Sequence, residues 1–233
     1  MPLPKIIRSR RKTIALIIEA DGSLLVRAPL RATNRRIAEI VEEKAAWIHA
    51  RQAQALARPQ PEAHHFVEGE QFWYLGSLYP LHLTVGIRDR LEFKSGQFRL
   101  SMGLPTQVVD DREAYYQRKV QVLLTAWYRR QASQVLGQRV TLLAQQCSLG
   151  YRQVKITSAR TRWGSCSSRG VLSFPWRLVM APLVVIDYVV VHELVHTVVR
   201  GHGRDFWNLV QAFVPEYHQH VAWLKENGRL LEI

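Results

Sequence analysis

The chain has 233 residues, 47% of them hydrophobic and 22% charged, and a formal net charge of +13. That length and apolar content suit one generous globular domain or two small ones, and the absence of repeats or biased segments excludes a solenoid or a low-complexity chain. The longest apolar stretch, Leu178 to Val191, contains Asp187 and is shorter than the ~20 residues of a membrane span. Met1-Pro2-Leu3-Pro4-Lys5 has no apolar signal core, so a cytoplasmic location is expected.

In chain order, Ile14–Glu19 and Leu24–Arg27 alternate as strands around Asp21-Gly22, which predicts a β-hairpin. Thr33 then caps one helix running to about Ala57, with Ile37, Ile40, Val41, Ala45 and Ile48 on its apolar face. Arg58-Pro59-Gln60-Pro61 breaks it. From Phe66 to Leu100 the pattern is of short strands punctuated by Gly69, Gly76, Gly86 and Gly96. A β-rich N-terminal region over 1–107 is expected, followed by a mainly helical domain over 108–233.

Val109 to about Val135 reads as a long helix, with Asp110, Asp111 and Glu113 at its N-terminal end, where the dipole favours acids. A shorter helix follows to Gln146. Gln153–Thr157 and Trp163–Phe174 read as strands. Pro182 suits the first position of a helix running to about Arg200, and a last helix is expected from Glu216 to Asn227, ended by Gly228. Cys147 and Cys166 are the two cysteines, which fits a reducing compartment better than a disulfide framework.

Charge is distributed unevenly. Between Glu113 and Asp187 there is no acidic residue, while basic residues recur from Arg118 to Arg177. A field of one sign attracts anionic partners such as nucleic acid, nucleotides or acidic peptides; it also serves solubility alone.

The chemistry is concentrated in His192-Glu193-Leu194-Val195-His196. Residues i and i+4 of a helix differ by only ~40° around its axis, so both imidazoles face one point and can share a Zn²⁺. Glu193 is rotated away from ligation and is placed to take a proton from water. The apolar flanks Val189, Val195 and Val199 mark a core helix, where ionisable groups need partners. Tyr188 lies one turn before His192 and either lines the site or packs.

A catalytic zinc commonly takes three protein ligands. His202 is the better third candidate, reached through a left-handed turn at Gly201, with Asp205 close enough to orient it. Glu216 is the competing ligand. His218 and His220 read as surface histidines.

Arg162-Trp163-Gly164-Ser165-Cys166-Ser167, Trp176-Arg177-Leu178, Ala181-Pro182, Ile186-Asp187-Tyr188-Val189-Val190-Val191, the histidine motif, His202 and Phe206-Trp207 together resemble the YgjP-like metal-dependent hydrolases. That family is zincin-like and related to the SprT-like proteases. Ser9 to Thr13, Arg27-Ala28-Pro29 and Tyr74-Leu75-Gly76 extend the resemblance over nearly the whole chain. It implies an α+β fold whose second part is a zincin-like metallopeptidase domain with a small antiparallel sheet. It also implies His192, His196 and His202 as metal ligands, Glu193 as the catalytic carboxylate, and a strand Trp163-Gly164-Ser165-Cys166 beside the metal helix.

Such an edge strand pairs with an extended peptide, and Gly164 allows close backbone approach; equally, Trp163 is core and Gly164 a bulge. Pro175 departs from the family pattern, and a proline removes a ladder donor. The expected function is a zinc-dependent hydrolase with Glu193 as general base, a metallopeptidase first. An alternative is a phosphoanhydride (nucleoside triphosphate) hydrolase, with Arg160, Arg162 or Arg177 holding the substrate. A nucleic-acid-associated protein of SprT-like type is the reading from another class.

Overall fold

The computed structural model describes residues 4–19, 21–57, 63–103 and 111–233. The break expected at Arg58-Pro59-Gln60-Pro61, the helix start at Val109 and Asp110, and Met1 to Leu3 lie outside the described residues. The fold is α+β, and its contacts divide it into two compact units, Met1–Glu62 and Ala63–Ile233.

In the first unit, β1 (Lys5–Ser9), β2 (Ala15–Ile18) and β3 (Leu24–Pro29) form a sheet in the order β1-β3-β2. β2 and β3 are the expected hairpin, antiparallel from Ala15↔Arg27 to Ile18↔Leu24, and β1 adds a parallel strand. Gly22 takes φ +80° in the turn, and the Asp21 carboxylate accepts the Ser23 amide at 2.9 Å. The expected single helix is two, α1 (Asn34–Glu43) and α2 (Ala45–Leu56). The Thr33 hydroxyl caps α1, accepting from the Arg36 amide at 3.2 Å. Lys44, at φ −99°, ψ 12°, separates the two helices. Val26, Ala28 and Ile37 make a small core.

In the second unit, β4 (Gln71–Tyr74), β5 (Ser77–Val85), β6 (Arg90–Lys94) and β7 (Gln97–Met102) form a sheet in the order β4-β5-β7-β6. The sequence groups these strands with the N-terminal region, but their inner residues Phe72, Leu81, Phe98 and Leu100 belong to the same core as the histidine helix. Phe98 meets Trp127 edge-on at 5.0 Å, and the Tyr128 hydroxyl donates to the Trp73 carbonyl at 2.6 Å. The contacts divide the chain between Glu62 and Ala63, and the sheet buries its apolar face against the helix that follows it.

That helix, α3 (Arg112–Gln146), is continuous where two were expected. Asp111 caps it through its side chain, with the Ala114 amide donating at 3.0 Å. Val120, Leu124, Tyr128, Ala132, Leu136, Val140 and Ala144 recur every fourth residue as one buried stripe. The stripe runs straight past Gly137. The ~1 kcal/mol that a helical glycine costs is small beside such burial.

β8 (Gln153–Thr157), β9 (Ser165–Cys166) and β10 (Val171–Pro175) form a second sheet, in the order β8-β10-β9. It is mixed, not purely antiparallel: β9 runs back along β10, which leaves β8 and β10 parallel. The expected strand 163–174 is thus two strands, joined by a turn in which Gly170 has φ +73°. Pro175 ends β10 opposite Thr157 and leads into a 3-10 turn, Trp176–Met180, where its missing donor costs the ladder little.

α4 (Leu183–Val195) follows, then α5 (Arg204–Phe213), which the sequence reading passed over, and α6 (Tyr217–Asn227). A bidentate pair, Arg139 Nε and Nη2 to the Asp187 carboxylate at 2.6 and 2.7 Å, joins α3 to α4. The β4–β5 turn reaches the start of the same helix. Leu75 and Gly76 amides donate to the Val179 and Met180 carbonyls at 3.0 and 2.9 Å, and a Cβ at Gly76 would stand 2.8 Å from Pro182. Gly228 ends α6 as expected, in a right-handed conformation with φ −58°. It is glycine for space, since a Cβ there would meet the Trp163 ring at 2.9 Å. Among the described residues, no helix is long and apolar enough to cross a membrane.

Candidate metal centre

α4 is apolar nearly all round, with Val185, Ile186, Val189, Val190, Val191, Leu194 and Val195 buried. It is therefore a core helix, and the polar groups near its C-terminal end are held in low-dielectric surroundings. The helix ends at Val195, earlier than expected. His196 is its C-cap, and the Thr197 hydroxyl donates to the Leu194 carbonyl at 2.7 Å. Three turn residues later, Gly201 takes φ +82°, the left-handed conformation expected of it. The chain turns back there and brings His202 over the end of α4.

The result is a cluster of His192, His196 and His202. The Nε2 atom of His202 lies 3.1 Å from that of His192 and 3.2 Å from that of His196. Two imidazoles can share one proton in a hydrogen bond, but a single nitrogen facing two others is poorly served that way. The donors do suit a cation. Nitrogens each ~2.0–2.1 Å from a tetrahedral zinc stand about 3.3–3.4 Å apart. His196 Nδ1 is 3.2 Å from the Val199 carbonyl, a contact that keeps the proton on Nδ1 and leaves the Nε2 lone pair toward the cluster. Burial pushes His192 down to about 4, with His196 and His202 adding to the shift, so its ring is neutral at physiological pH.

The neighbours of the cluster are aromatic. Phe206 stacks on His196 at 4.4 Å and meets His192 edge-on at 4.9 Å, and Trp207 lies 5.8 Å from His202. The expected orienting bond from Asp205 to His202 is not formed among the described residues; the rings of α5 hold that imidazole instead. Glu216 stands exposed at the start of α6, outside the cluster. Tyr188 satisfies both of its readings. It is buried and stacks with Tyr217, and its hydroxyl lies 3.5 Å from His192 Nδ1. Burial first, then Tyr217 and Glu193, pushes its phenol up to about 12.

Glu193 is 5% exposed, and its Oε2 has no hydrogen-bond partner. Burial lifts its carboxyl to about 7, against a smaller opposing effect of Arg162. A Cβ on Gly164 would stand 2.6 Å from Glu193 Cγ and 2.7 Å from Cδ. The Gly164 backbone therefore walls the carboxylate on one side, which neither the bulge nor the substrate reading anticipated.

A cleft of about 470 Å³ opens over this group. Of the residues singled out in the sequence, Arg162, Gly164, Ser165, His192, Glu193, His196 and His202 line it. Trp163 does not, because its ring packs against Gly228 and the core. Arg177 does not either: it is 7% exposed, with its guanidinium 4.4 Å over the Trp176 ring. Cys166, Ser167, Ser168 and Arg200 also line the cleft and were not read as site residues. Their signal was positional, since Cys166 continues the strand of Gly164 and Ser165, and Arg200 precedes Gly201. Burial raises the Cys166 thiol, with Glu193 adding to the effect and Arg200 opposing it.

The basic tract is partly neutralised. Arg139 is paired with Asp187, and Lys119 with Asp89 at 2.8 Å. No curated protein and no solved structure matches the chain. A family model described as YgjP-like, metallopeptidase domain, does match it, over residues 12–227. With that span embracing the histidine cluster, its buried carboxylate and the strand beside them, the chain belongs to the YgjP-like metallopeptidase family and is a metal-dependent hydrolase.

Proposed function

We propose that the cleft is the catalytic centre of a zinc-dependent peptidase. The observation that carries this is the convergence of three imidazole nitrogens beside a buried carboxylate with an unpartnered oxygen. His192, His196 and His202 hold the metal. When bound, zinc supplies Lewis acidity to the scissile carbonyl and acidity to water. Glu193 takes the proton of the attacking water at its free oxygen and passes it to the leaving nitrogen. A carboxyl lifted to about 7 suits both halves of that transfer near neutral pH. Phe206 and Trp207 fix the imidazoles and keep water from their far side.

The peptide reading is supported by β9. Among the described residues it is an edge strand, paired with β10 on one side, and Ser165 and Cys166 line the cleft. An extended substrate can add to its open edge through main-chain hydrogen bonds. A second reading has its own observation. Arg162 and Arg200 line the cleft, with Glu193 as its one carboxylate among the described residues, so a phosphoanhydride such as a nucleoside triphosphate also fits its charge.

Glu193→Gln decides the mechanism. The variant is expected to keep wild-type zinc content and lose about 10²–10⁴-fold in turnover. Retained turnover would sink the general-base role. Running the wild-type enzyme against a peptide library and against nucleoside triphosphates assigns the substrate. Hydrolysis of triphosphates alone overturns the peptidase reading.

A further inference from the structure

Away from the cleft, Arg177 is a buried cation that forms no ion pair among the described residues. Arg177 is 7% exposed, and its Nε and Nη1 are buried without a hydrogen-bond partner. Its guanidinium lies over the Trp176 face. A guanidinium left like this is unfavourable unless something accepts from it.

The surroundings add charge of the same sign. β8 and β10 are parallel and end together, Thr157 opposite Pro175, so the residues leaving both strands emerge at one edge. Ser158 to Arg160 leave one strand, and Trp176 and Arg177 the other. Arg129, from the middle of α3, donates to the Ser158 hydroxyl at the same place. Among the described residues, Arg129, Arg160 and Arg177 form no ion pair. Burial first, then Arg160 and Arg129, disfavours the charged form of Arg177, and Glu232 works in the other direction.

We propose that this ledge is an anion site, in which Arg177, Arg160 and Arg129 hold a small dianionic oxyanion, a phosphate group. Three guanidinium groups that form no ion pair among the described residues leave a charge that a dianion balances better than a monoanion does. The small exposed remnant of Arg177 admits a free ion or a terminal phosphate, not the interior of a polymer. The ligand is inorganic phosphate or a small phosphate monoester. The inference is independent of the reading of the cleft, since Arg177 does not line it.

The test is calorimetric titration of the intact, metal-loaded protein with inorganic phosphate, and in a second arm with glycerol phosphate, against chloride at equal ionic strength. Saturable binding near one equivalent is expected in at least one arm, and the tighter arm names the source. Arg177→Met is expected to abolish it. Arg160→Ala and Arg129→Ala replace exposed residues, so they decide the matter even if Arg177→Met does not fold. Each is expected to weaken binding about tenfold. His196→Ala is expected to leave it intact. The proposal is overturned by no saturable binding in either arm, by unchanged affinity in the Arg160→Ala, Arg129→Ala double variant, or by loss of binding in His196→Ala, which would place the anion at the metal centre.

Discussion

Glu193 and Gly164 are 29 positions apart in sequence and in contact in space, and that contact sets the carboxylate's position. The side chain is confined between its own helix and a main chain with no Cβ to displace it. Gly164→Ala is therefore expected to push the carboxyl aside while leaving the three histidines untouched. A displacement of about 1 Å in a reacting group costs on the order of 10²-fold in rate. The measurement is kcat with zinc content determined on the same sample. Activity near wild type, with metal bound, would show that the carboxylate tolerates the shift and that Gly164 is glycine for another reason.

At the scale of elements, the N-terminal half of the histidine helix is held by contacts distant in sequence. The β4–β5 turn clasps the segment before it, and Arg139 of α3 grips Asp187 in its second turn. Both partners of the pair are about three-quarters buried as side chains, so solvent screens them less than a surface pair. Arg139→Met leaves the Asp187 carboxylate without its two charge-assisted bonds, and a loss of about 2 kcal/mol in unfolding free energy is expected by denaturant titration. A loss within a few tenths of a kcal/mol would mean that the pair only decorates the α3–α4 contact. The continuous α3 shows why local signals misled at this scale. The break expected after about Val135 is absent, because the buried residues on either side of Gly137 keep one register, and packing overrides propensity.

For the molecule as a whole, the core of the second unit runs from Phe66 through the sheet, α3 and α4 to Leu231, and it is built of apolar side chains rather than of the three histidines. Metal removal is therefore expected to abolish hydrolysis and leave the fold. With a chelator, far-UV circular dichroism should be unchanged and the melting temperature should fall, since a ligand that binds only the folded state stabilises it by mass action. Unfolding on chelation at room temperature would make the metal structural. The same continuity predicts that residues 63–233, expressed alone, fold and take up metal. Failure of that fragment to bind zinc would show that the first unit completes the fold.

What the sequence determined by itself is local. The i, i+4 spacing put His192 and His196 on one face, Gly201 supplied the left-handed turn, and that turn kept His202 within reach, all inside eleven residues where helix geometry leaves little choice. The hairpin of β2 and β3 and the Thr33 cap were legible for the same reason. The tertiary structure decided the rest. It brought Gly164 to Glu193, buried Arg177 over Trp176, turned Trp163 into the core and drew the unit boundary ahead of the β4–β7 sheet. Periodicity says which face of an element is apolar, but not which distant element will cover it. That choice belongs to the packing of the whole core.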